Sequence, residues 1–90
     1  MKFEWDSDKA RENLRKHGVE MGAGIPVFDD PLAITRFDAE HSGDEQRFNI
    51  IGFGERILLF VTYAVRADEV IRLINVRPAD GREKGWYYEK

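Results

Sequence analysis

The nearly continuous apolar run at residues 57–63, Ile-Leu-Leu-Phe-Val-Thr-Tyr, constrains the fold more than any other part of this sequence. A strand with so few polar positions needs cover on both faces, so the run predicts the central strand of a sheet. Further strands are predicted at residues 33–37, 46–53 and 70–77, which are bounded by turn residues or by a polar loop. Strands that follow one another in this way predict an antiparallel meander.

The first third of the chain predicts a helix over residues 9–17. Asp6 is a suitable N-cap for this helix, and Gly18 is a suitable glycine directly after its last turn. The helical spacing of four and three residues places a set of side chains together on one side of the helix, namely Ala10, Leu14 and His17.

The remaining segments complete an α+β pattern. Residues 2–5 alternate between polar and aromatic side chains and suit a short strand, whereas residues 19–28 contain two glycines and a proline and predict a short or broken second helix. The tail, residues 79–90, is polar until its aromatic residues and predicts a short helix that packs through them. We therefore expect one α+β domain over residues 1–90, with N-terminal helices packed on a small antiparallel sheet and a short C-terminal helix.

Composition narrows the function classes. The 90 residues include no cysteine, which favours a reducing compartment and excludes a thiol nucleophile. The N-terminus is acidic where a signal peptide would be apolar, so we expect a cytoplasmic protein. With 14 basic and 17 acidic residues the net charge is −3, which does not favour tight nonspecific binding of nucleic acid. A local basic site, or a basic partner, stays open.

The two histidines, His17 and His41, lack the spacing of metal ligands, and no metal site is predicted. His41 lies in a polar loop with Ser42 and Glu45, just ahead of Arg47. Because imidazole exchanges a proton near neutral pH, His41 suits general acid–base catalysis, although taken alone it is explained better as an ordinary exposed loop residue. His17 lies at a helix end, where capping or packing explains it better.

Arginines mark the second half of the chain, and planar guanidinium groups match phosphate oxygens. They are Arg47, Arg66, Arg72, Arg77 and Arg82. Strict alternation along the last strand places Arg72 and Arg77 on opposite faces, so a shared site requires a bulge or a turn of the strand's end. Pro78 follows Arg77, which is therefore expected to be free to turn.

A set of residues spread over essentially the whole chain carries a resemblance to one known family. Its members are Trp5-Asp6, Lys9-Ala10, Asn13, residues 16–19, residues 28–32, His41-Ser42, Glu45, Arg47, Gly52, Arg66, residues 71–74, Arg77, Glu83 and Tyr87. In this combination the sequence resembles the BrnT-type toxins. It departs from their usual pattern at residues 21–24, 75–78 and 80–85.

The resemblance implies a RelE-like fold and an endoribonuclease toxin of a type II toxin–antitoxin pair that needs neither metal nor cofactor and inhibits translation. The implied partner is a ribbon-helix-helix antitoxin of the BrnA type. The pair would bind operator DNA only through the antitoxin and would repress its own operon. One alternative is a catalytically weak or inactive module that binds the antitoxin as a co-repressor, and another is a structural domain with solvated charges.

Residue chemistry and the resemblance together give a candidate site. His41 is expected to transfer protons, with Glu45 as its orienter or as an alternative base. Binding of the phosphate and stabilisation of the negative charge that develops on it are assigned to Arg47, Arg66 and Arg77. Further candidates are Tyr87 for stacking or proton donation and, for RNA binding, Lys16, Arg72 and Arg82.

Overall fold

The computed structural model describes residues 1–89, so Lys90, the last residue of the predicted tail, lies outside the described residues. In chain order the elements are β1 (Lys2–Glu4), α1 (Ser7–His17), a 3₁₀ helix (Met21–Asp29), β2 (Ile34–Phe37), β3 (Arg47–Phe53), β4 (Leu58–Val65), a 3₁₀ turn (Ala67–Glu69), β5 (Val70–Pro78) and α2 (Gly81–Tyr88). The predicted α+β class is confirmed. Within residues 1–89, no helix combines the length and apolar character needed to cross a membrane.

The sheet has the order β1-β5-β4-β3-β2, so the apolar run at residues 57–63 does form the central strand. Strands β2 to β5 make the predicted antiparallel meander. The expectation of a purely antiparallel sheet is wrong, because β1 pairs in parallel with β5. This short pairing places Phe3 opposite Ile71, where its ring joins the core beneath the helices.

One face of the sheet, here called the helix-covered face, packs against α1 and the 3₁₀ helix. Strand alternation directs its side chains into a single cluster of apolar residues. The buried members are Met21, Val27, Ile50, Leu59, Val61, Tyr63, Ile71, Leu73 and Val76.

The predicted caps and the predicted end of helix α1 are confirmed, but the helix begins at Ser7, two residues before the predicted range. The Asp6 carboxylate accepts a hydrogen bond from the backbone N of Lys9 at 2.9 Å, and Gly18 adopts a φ of 68° after the last turn. The side of α1 that carries Leu14 is not fully covered, since Leu14 is 45% exposed, whereas Asn13 is buried. The Asn13 amide exchanges two hydrogen bonds with the backbone of Val76, at 2.7 and 2.9 Å. The Asn13 side chain therefore satisfies backbone hydrogen-bonding groups of β5 in the part of this strand that lies beyond its pairing with the short strand β1.

The 3₁₀ helix lies unusually close to the sheet because it contains glycine. A Cβ atom on Gly24 would lie 2.9 Å from Cγ2 of Val76 and 3.2 Å from Cγ2 of Val61. A larger residue would push the helix away from β4 and β5. This close packing explains Gly24, whereas a Cβ atom on Gly22 would make only an ordinary contact with Trp5 at 3.5 Å.

Helix α2 covers part of the opposite face through a smaller cluster that includes Ile51, Phe60 and Tyr87. Its start is fixed by a capping box, in which Asp80 accepts from the backbone N of Glu83 and Glu83 accepts from the backbone N of Asp80. Because α2 is only two turns long, it leaves the rest of this face open.

Candidate functional site

A β-bulge in β5 decides which arginines share a face. Arg72 pairs with Ala64 and Arg77 pairs with Phe60, and the register between β4 and β5 shifts between these two pairs. Ala64 and Phe60 are four residues apart on β4, so they point to the same side. Arg72 and Arg77 therefore lie on one face, and the placement that strict alternation predicts for them is wrong because Ile74 is inserted between paired positions.

We call this side of the sheet the arginine face. Since paired residues on neighbouring strands point to the same side, the strand registers order its side chains in rows across the sheet. The first row is Arg47, Ala64, Arg72 and Glu4; the second is Arg36, Asn49, Thr62 and Asn75; the third is Ile34, Ile51, Phe60 and Arg77. In a chain of net charge −3, four arginines are concentrated on this one surface.

The loop between β2 and β3 is closed by local hydrogen bonds. The backbone N of Asp38 donates to the carbonyl of Arg47 at 2.8 Å. Ser42 Oγ donates to the carbonyl of Asp38 at 2.7 Å and accepts from the backbone N of Arg47 at 2.9 Å. The serine next to the histidine therefore shapes the loop, and the loop holds His41 at the edge of the arginine face.

His41 is paired with Asp38. Its Nδ1 lies 2.9 Å from Oδ2 and 3.1 Å from Oδ1 of that carboxylate. Because an ionised carboxylate only accepts, we assign the proton to Nδ1, which leaves Nε2 as the accepting nitrogen. The Asp38 side chain is 15% exposed and that of His41 is 64% exposed. Partial burial raises the pKa of Asp38, but hydrogen bonds from His41 outweigh it, so the pKa lies below its ordinary value.

His41, Glu45 and Arg47 line one open cavity, so the structure brings these three predicted residues together. Within residues 1–89, no carboxylate lies within 4.0 Å of the Arg47 guanidinium. The carboxylate that contacts His41 belongs to Asp38 and not to Glu45. Asp38 escaped the sequence analysis because its distance of three residues from His41 becomes a contact only through the loop closure.

Arg77 is held in place, so the expectation that it is free to turn is wrong. Its guanidinium donates to both carboxylate oxygens of Glu83, at 2.8 and 2.7 Å, and lies 4.1 Å over the ring of Phe60. The hydrogen bond to Glu83, whose side chain is 7% exposed, raises the pKa of Arg77. Arg77 therefore also anchors α2 to the sheet.

Arg66 and Arg72 share one partner on the edge strand. Their guanidinium groups lie 3.4 and 3.8 Å from the carboxylate of Glu4. Arg72 belongs to the same row as Arg47, and Arg66 follows the end of β4 next to that row. Both extend the positive surface away from the His41 loop.

Tyr87 is separated from this group. Its hydroxyl donates to Oδ2 of Asp30 at 2.6 Å, and this hydrogen bond, followed by burial, raises the pKa of Tyr87 to about 12. The ring contacts Phe53, which lies at the other end of β3 from Arg47. At about 3.3 Å per residue, the two ends of β3 are about 20 Å apart. The geometry favours a structural role for Tyr87 in docking α2.

The remaining candidates for RNA binding lie on the two helices. Lys16 is on α1, behind the helix-covered face, with its Nζ 3.8 Å from Glu12. Arg82 is on α2, where its guanidinium lies 5.1 Å from the centre of the Trp86 ring. The structure therefore places Arg82 beside the arginine face and Lys16 on the other side of the molecule.

Residues 1–89 hold no cluster of three or more histidine, cysteine, aspartate or glutamate side chains suited to a metal ion. Sequence reasoning also missed the polar middle of the arginine face, where Thr62 Oγ1 donates to Oδ1 of Asn49 at 2.8 Å. A threonine inside the most apolar run of the chain was the signal that could have revealed it.

Comparison with known proteins identifies the family and the fold of this chain. The sequence profile of the family described as the ribonuclease toxin BrnT of type II toxin–antitoxin systems matches residues 5–83. Among solved structures, the ribonuclease toxin BrnT of Brucella abortus, determined at 1.1 Å resolution, superposes with a TM-score of 0.68. It is 23% identical and covers 89% of this chain and 97% of its own, which shows a shared fold. Among proteins of curated function, none matches the chain significantly.

Proposed function

The chain belongs to the BrnT family of ribonuclease toxins from type II toxin–antitoxin systems, and from this premise we propose that it cleaves RNA in the cavity lined by His41, Glu45 and Arg47. The observation that carries the proposal is the contact between His41 and Asp38 beside Arg47, which has no carboxylate partner among residues 1–89. A histidine oriented by a carboxylate supplies a base, and an adjacent guanidinium supplies a fixed positive charge.

The reaction uses the nucleophile that RNA carries itself. The 2′-hydroxyl attacks the neighbouring phosphorus, His41 Nε2 takes the hydroxyl proton, and the bond to the 5′-oxygen breaks to leave a 2′,3′-cyclic phosphate. The departing 5′-oxygen takes up a proton from water in the open cavity. Asp38 fixes the ring orientation and stabilises the imidazolium that forms. Glu45, in the same cavity, is the alternative base. This route needs no metal ion, because positioning and fixed charges supply its catalysis.

The arginines divide between the scissile phosphate and its neighbours. Arg47 is assigned to the extra charge on phosphorus, because it lies in the His41 cavity. The row of Arg77 lies four residues further along β4, about 13 Å away, so Arg77 suits a neighbouring phosphate. Arg66 and Arg72 extend the track for the RNA backbone beyond Arg47.

The remaining parts of the proposed function, which concern the cellular effect, the antitoxin and the control of the operon, follow from the resemblance to BrnT-type toxins. The proposal includes inhibition of translation in the cytoplasm, a RelE-like fold, and neutralisation by a ribbon-helix-helix antitoxin of the BrnA type. The toxin–antitoxin complex would bind operator DNA through the antitoxin and repress its own operon. The open arginine face, with its charge opposite to that of RNA, is what supports a nucleic-acid substrate on the toxin itself.

The test is expression of the chain alone, compared with the variants His41→Ala and Arg47→Ala. We expect growth arrest and falling RNA integrity with the natural chain, and neither with the variants. Both side chains avoid the buried cores, so the variants should keep the melting temperature of the natural chain. Arg77→Ala is a poorer test, because it would leave the buried Glu83 carboxylate without its main partner.

Full toxicity of both variants would overturn the site assignment. A natural chain that causes no arrest, cleaves no RNA and still binds the antitoxin would instead support the co-repressor module. The neutralisation of Arg77 by Glu83 is the observation that favours this second function, because a paired arginine binds phosphate less readily.

A further inference from the structure

A second cavity, here called the α2 groove, lies on the arginine face between the sheet and α2. It has a volume of about 220 Å³. Its lining includes Arg36, Asp38, Asn49, Ile51, Phe60 and Trp86. Asp38 is the residue that orients His41, so the groove starts where the proposed cleavage site ends.

One wall of the groove is a flat, fixed cation. The Arg36 guanidinium lies 4.0 Å from the centre of the Trp86 ring, and Arg82 lies 5.1 Å from the same ring. Trp86 is itself half-buried in the packing of α2. Arg36 is exposed, so its guanidinium contacts the tryptophan and is still accessible to a ligand. Unpaired bases stack on such planes.

The end of the groove near His41 is polar and has a defined orientation. Thr62 Oγ1 donates to Asn49 Oδ1, so the Asn49 amide presents its Nδ2 hydrogens as donors. Asn49 also helps, after the contacts from His41, to keep the pKa of the neighbouring Asp38 carboxylate below its ordinary value. Donor and acceptor groups thus lie side by side at the end of an otherwise flat, apolar slot.

Charge decides between a base and a phosphate as the occupant. The lining contains one exposed cation, Arg36, and the carboxylate of Asp38, whereas the carboxylate of Glu83 is already paired with Arg77. The Asp38 carboxylate would repel an anion that entered the groove, but it would not repel a neutral base. The floor formed by Ile51 and Phe60 likewise suits an apolar ring and not a phosphate.

We propose that the α2 groove binds one unpaired RNA base next to the scissile phosphate, stacked on Arg36 with its edge against Asp38 and Asn49. The inference rests on the proposed ribonuclease function and gives it a sequence preference. Guanine fits best, because its adjacent N1–H and N2–H donors suit the carboxylate and its O6 accepts from the Asn49 amide.

The test measures binding of a single-stranded oligonucleotide that cannot be cleaved because deoxyribose removes every 2′-hydroxyl. Binding is followed by Trp86 fluorescence in the Trp5→Phe background, since Trp5 is the only other tryptophan. A stacked base contributes about 1–3 kcal/mol, so Arg36→Ala should weaken binding about 5- to 150-fold. The matched control is Arg56→Ala, which removes the same charge from the exposed β3–β4 turn and should change affinity less than 3-fold.

Abasic substitutions, placed at one position after another, separate a base contact from a phosphate contact. At the position that occupies the groove, loss of the base should weaken natural-chain binding as much as Arg36→Ala does, and the two changes should not add. An equal loss from Arg36→Ala at every abasic position would mean a phosphate contact and would overturn the proposal. Replacing guanine by inosine and then by adenine should weaken binding stepwise, and equal affinity for all three would overturn the choice of guanine.

The outcome does not depend on cleavage. RNA cleavage without base-dependent binding would overturn the base site and leave the nuclease in place. Base-dependent binding without cleavage of the matching RNA would overturn the nuclease and leave the base site. Equal melting temperatures of the natural chain, Arg36→Ala and Arg56→Ala would exclude unfolding as the cause of a lost affinity.

Discussion

Strands β3, β4 and β5 present opposite chemistry on the two faces of the sheet. On the helix-covered face, Val61, Leu73 and Val76 are almost completely buried. On the arginine face, the same strands present polar side chains such as Asn49 and Arg72, which stay partly accessible. The main core and the proposed functional surface therefore lie on separate faces of the sheet, and α2 packs on the second of these faces.

The largest effect that tests the difference between the two faces is expected from removing the His41 side chain. If the His41–Asp38 pair performs proton transfer, His41→Ala should lower the rate of RNA cleavage about 10²- to 10⁴-fold with little change in melting temperature. The chain contains one other histidine, His17, at the C-terminal end of α1 behind the helix-covered face, so His17→Ala is the matched control. It should keep the cleavage rate and lose up to about 1 kcal/mol of stability. Equal activity losses in both variants would contradict the separation of faces.

Neighbouring residues on β5 provide the next test. Leu73 is 1% exposed on the helix-covered face, and Leu73→Ala should lower the free energy of unfolding by about 2–5 kcal/mol. Arg72 lies next to it on the other face, in an accessible ion pair, so Arg72→Ala should cost less than about 1 kcal/mol. Urea denaturation of both variants measures the difference. Similar losses would mean that the arginine face contributes to the core.

The sequence predicted the strands well, because hydrophobic alternation and turn residues act locally. The cap of α1 and the centre of the sheet followed from Asp6, Gly18 and the apolar run at residues 57–63. Arg72 and Arg77 were misplaced because a bulge depends on how β4 and β5 pair, which a period of two does not describe. The burial of Asn13 was missed for a similar reason. Its amide forms hydrogen bonds with the backbone of Val76 at the edge of β5, and this tertiary contact is not visible in the local sequence.

The candidate site was predicted in part. His41, Glu45 and Arg47 lie close together in sequence, so their grouping in one cavity could be anticipated. The contacts of Arg77 with Glu83 and of Arg36 with Trp86 depend on where α2 docks. Docking is set by tertiary packing, and no local pattern encodes it.

Tyr87 tests how firmly helix α2 is attached to the rest of the protein, because its hydroxyl donates a hydrogen bond to Asp30. Tyr87→Phe removes the hydrogen bond to Asp30 and should cost about 1.5–3 kcal/mol of stability at neutral pH, because its acceptor is charged. The pKa of Tyr87 is raised to about 12, so the folded state favours the protonated hydroxyl. The stabilisation should be complete below about pH 10, the ordinary value for tyrosine, and should be lost as the pH rises towards 12.

The control for this prediction is Tyr88→Phe, which alters an exposed neighbour on the same helix and should leave stability unchanged at all pH values. RNA cleavage at neutral pH should be retained in both variants. A large loss of cleavage in a stably folded Tyr87→Phe protein would instead support the proton-donating role that residue chemistry suggested.

The smallest expected effect concerns how far the RNA extends over the molecule. Each phosphate contact adds to the salt dependence of binding, so Arg72→Ala should weaken RNA binding only a few-fold at moderate salt and reduce the slope of log K against log salt by about 0.7–1. Lys16→Ala removes the same charge on the far side of the sheet, beside Glu12. If RNA contacts only the arginine face, this variant should keep the natural slope. Equal reductions in both variants would show that RNA passes around the edge of the sheet, because Arg72 and Lys16 lie on opposite sides of the buried core.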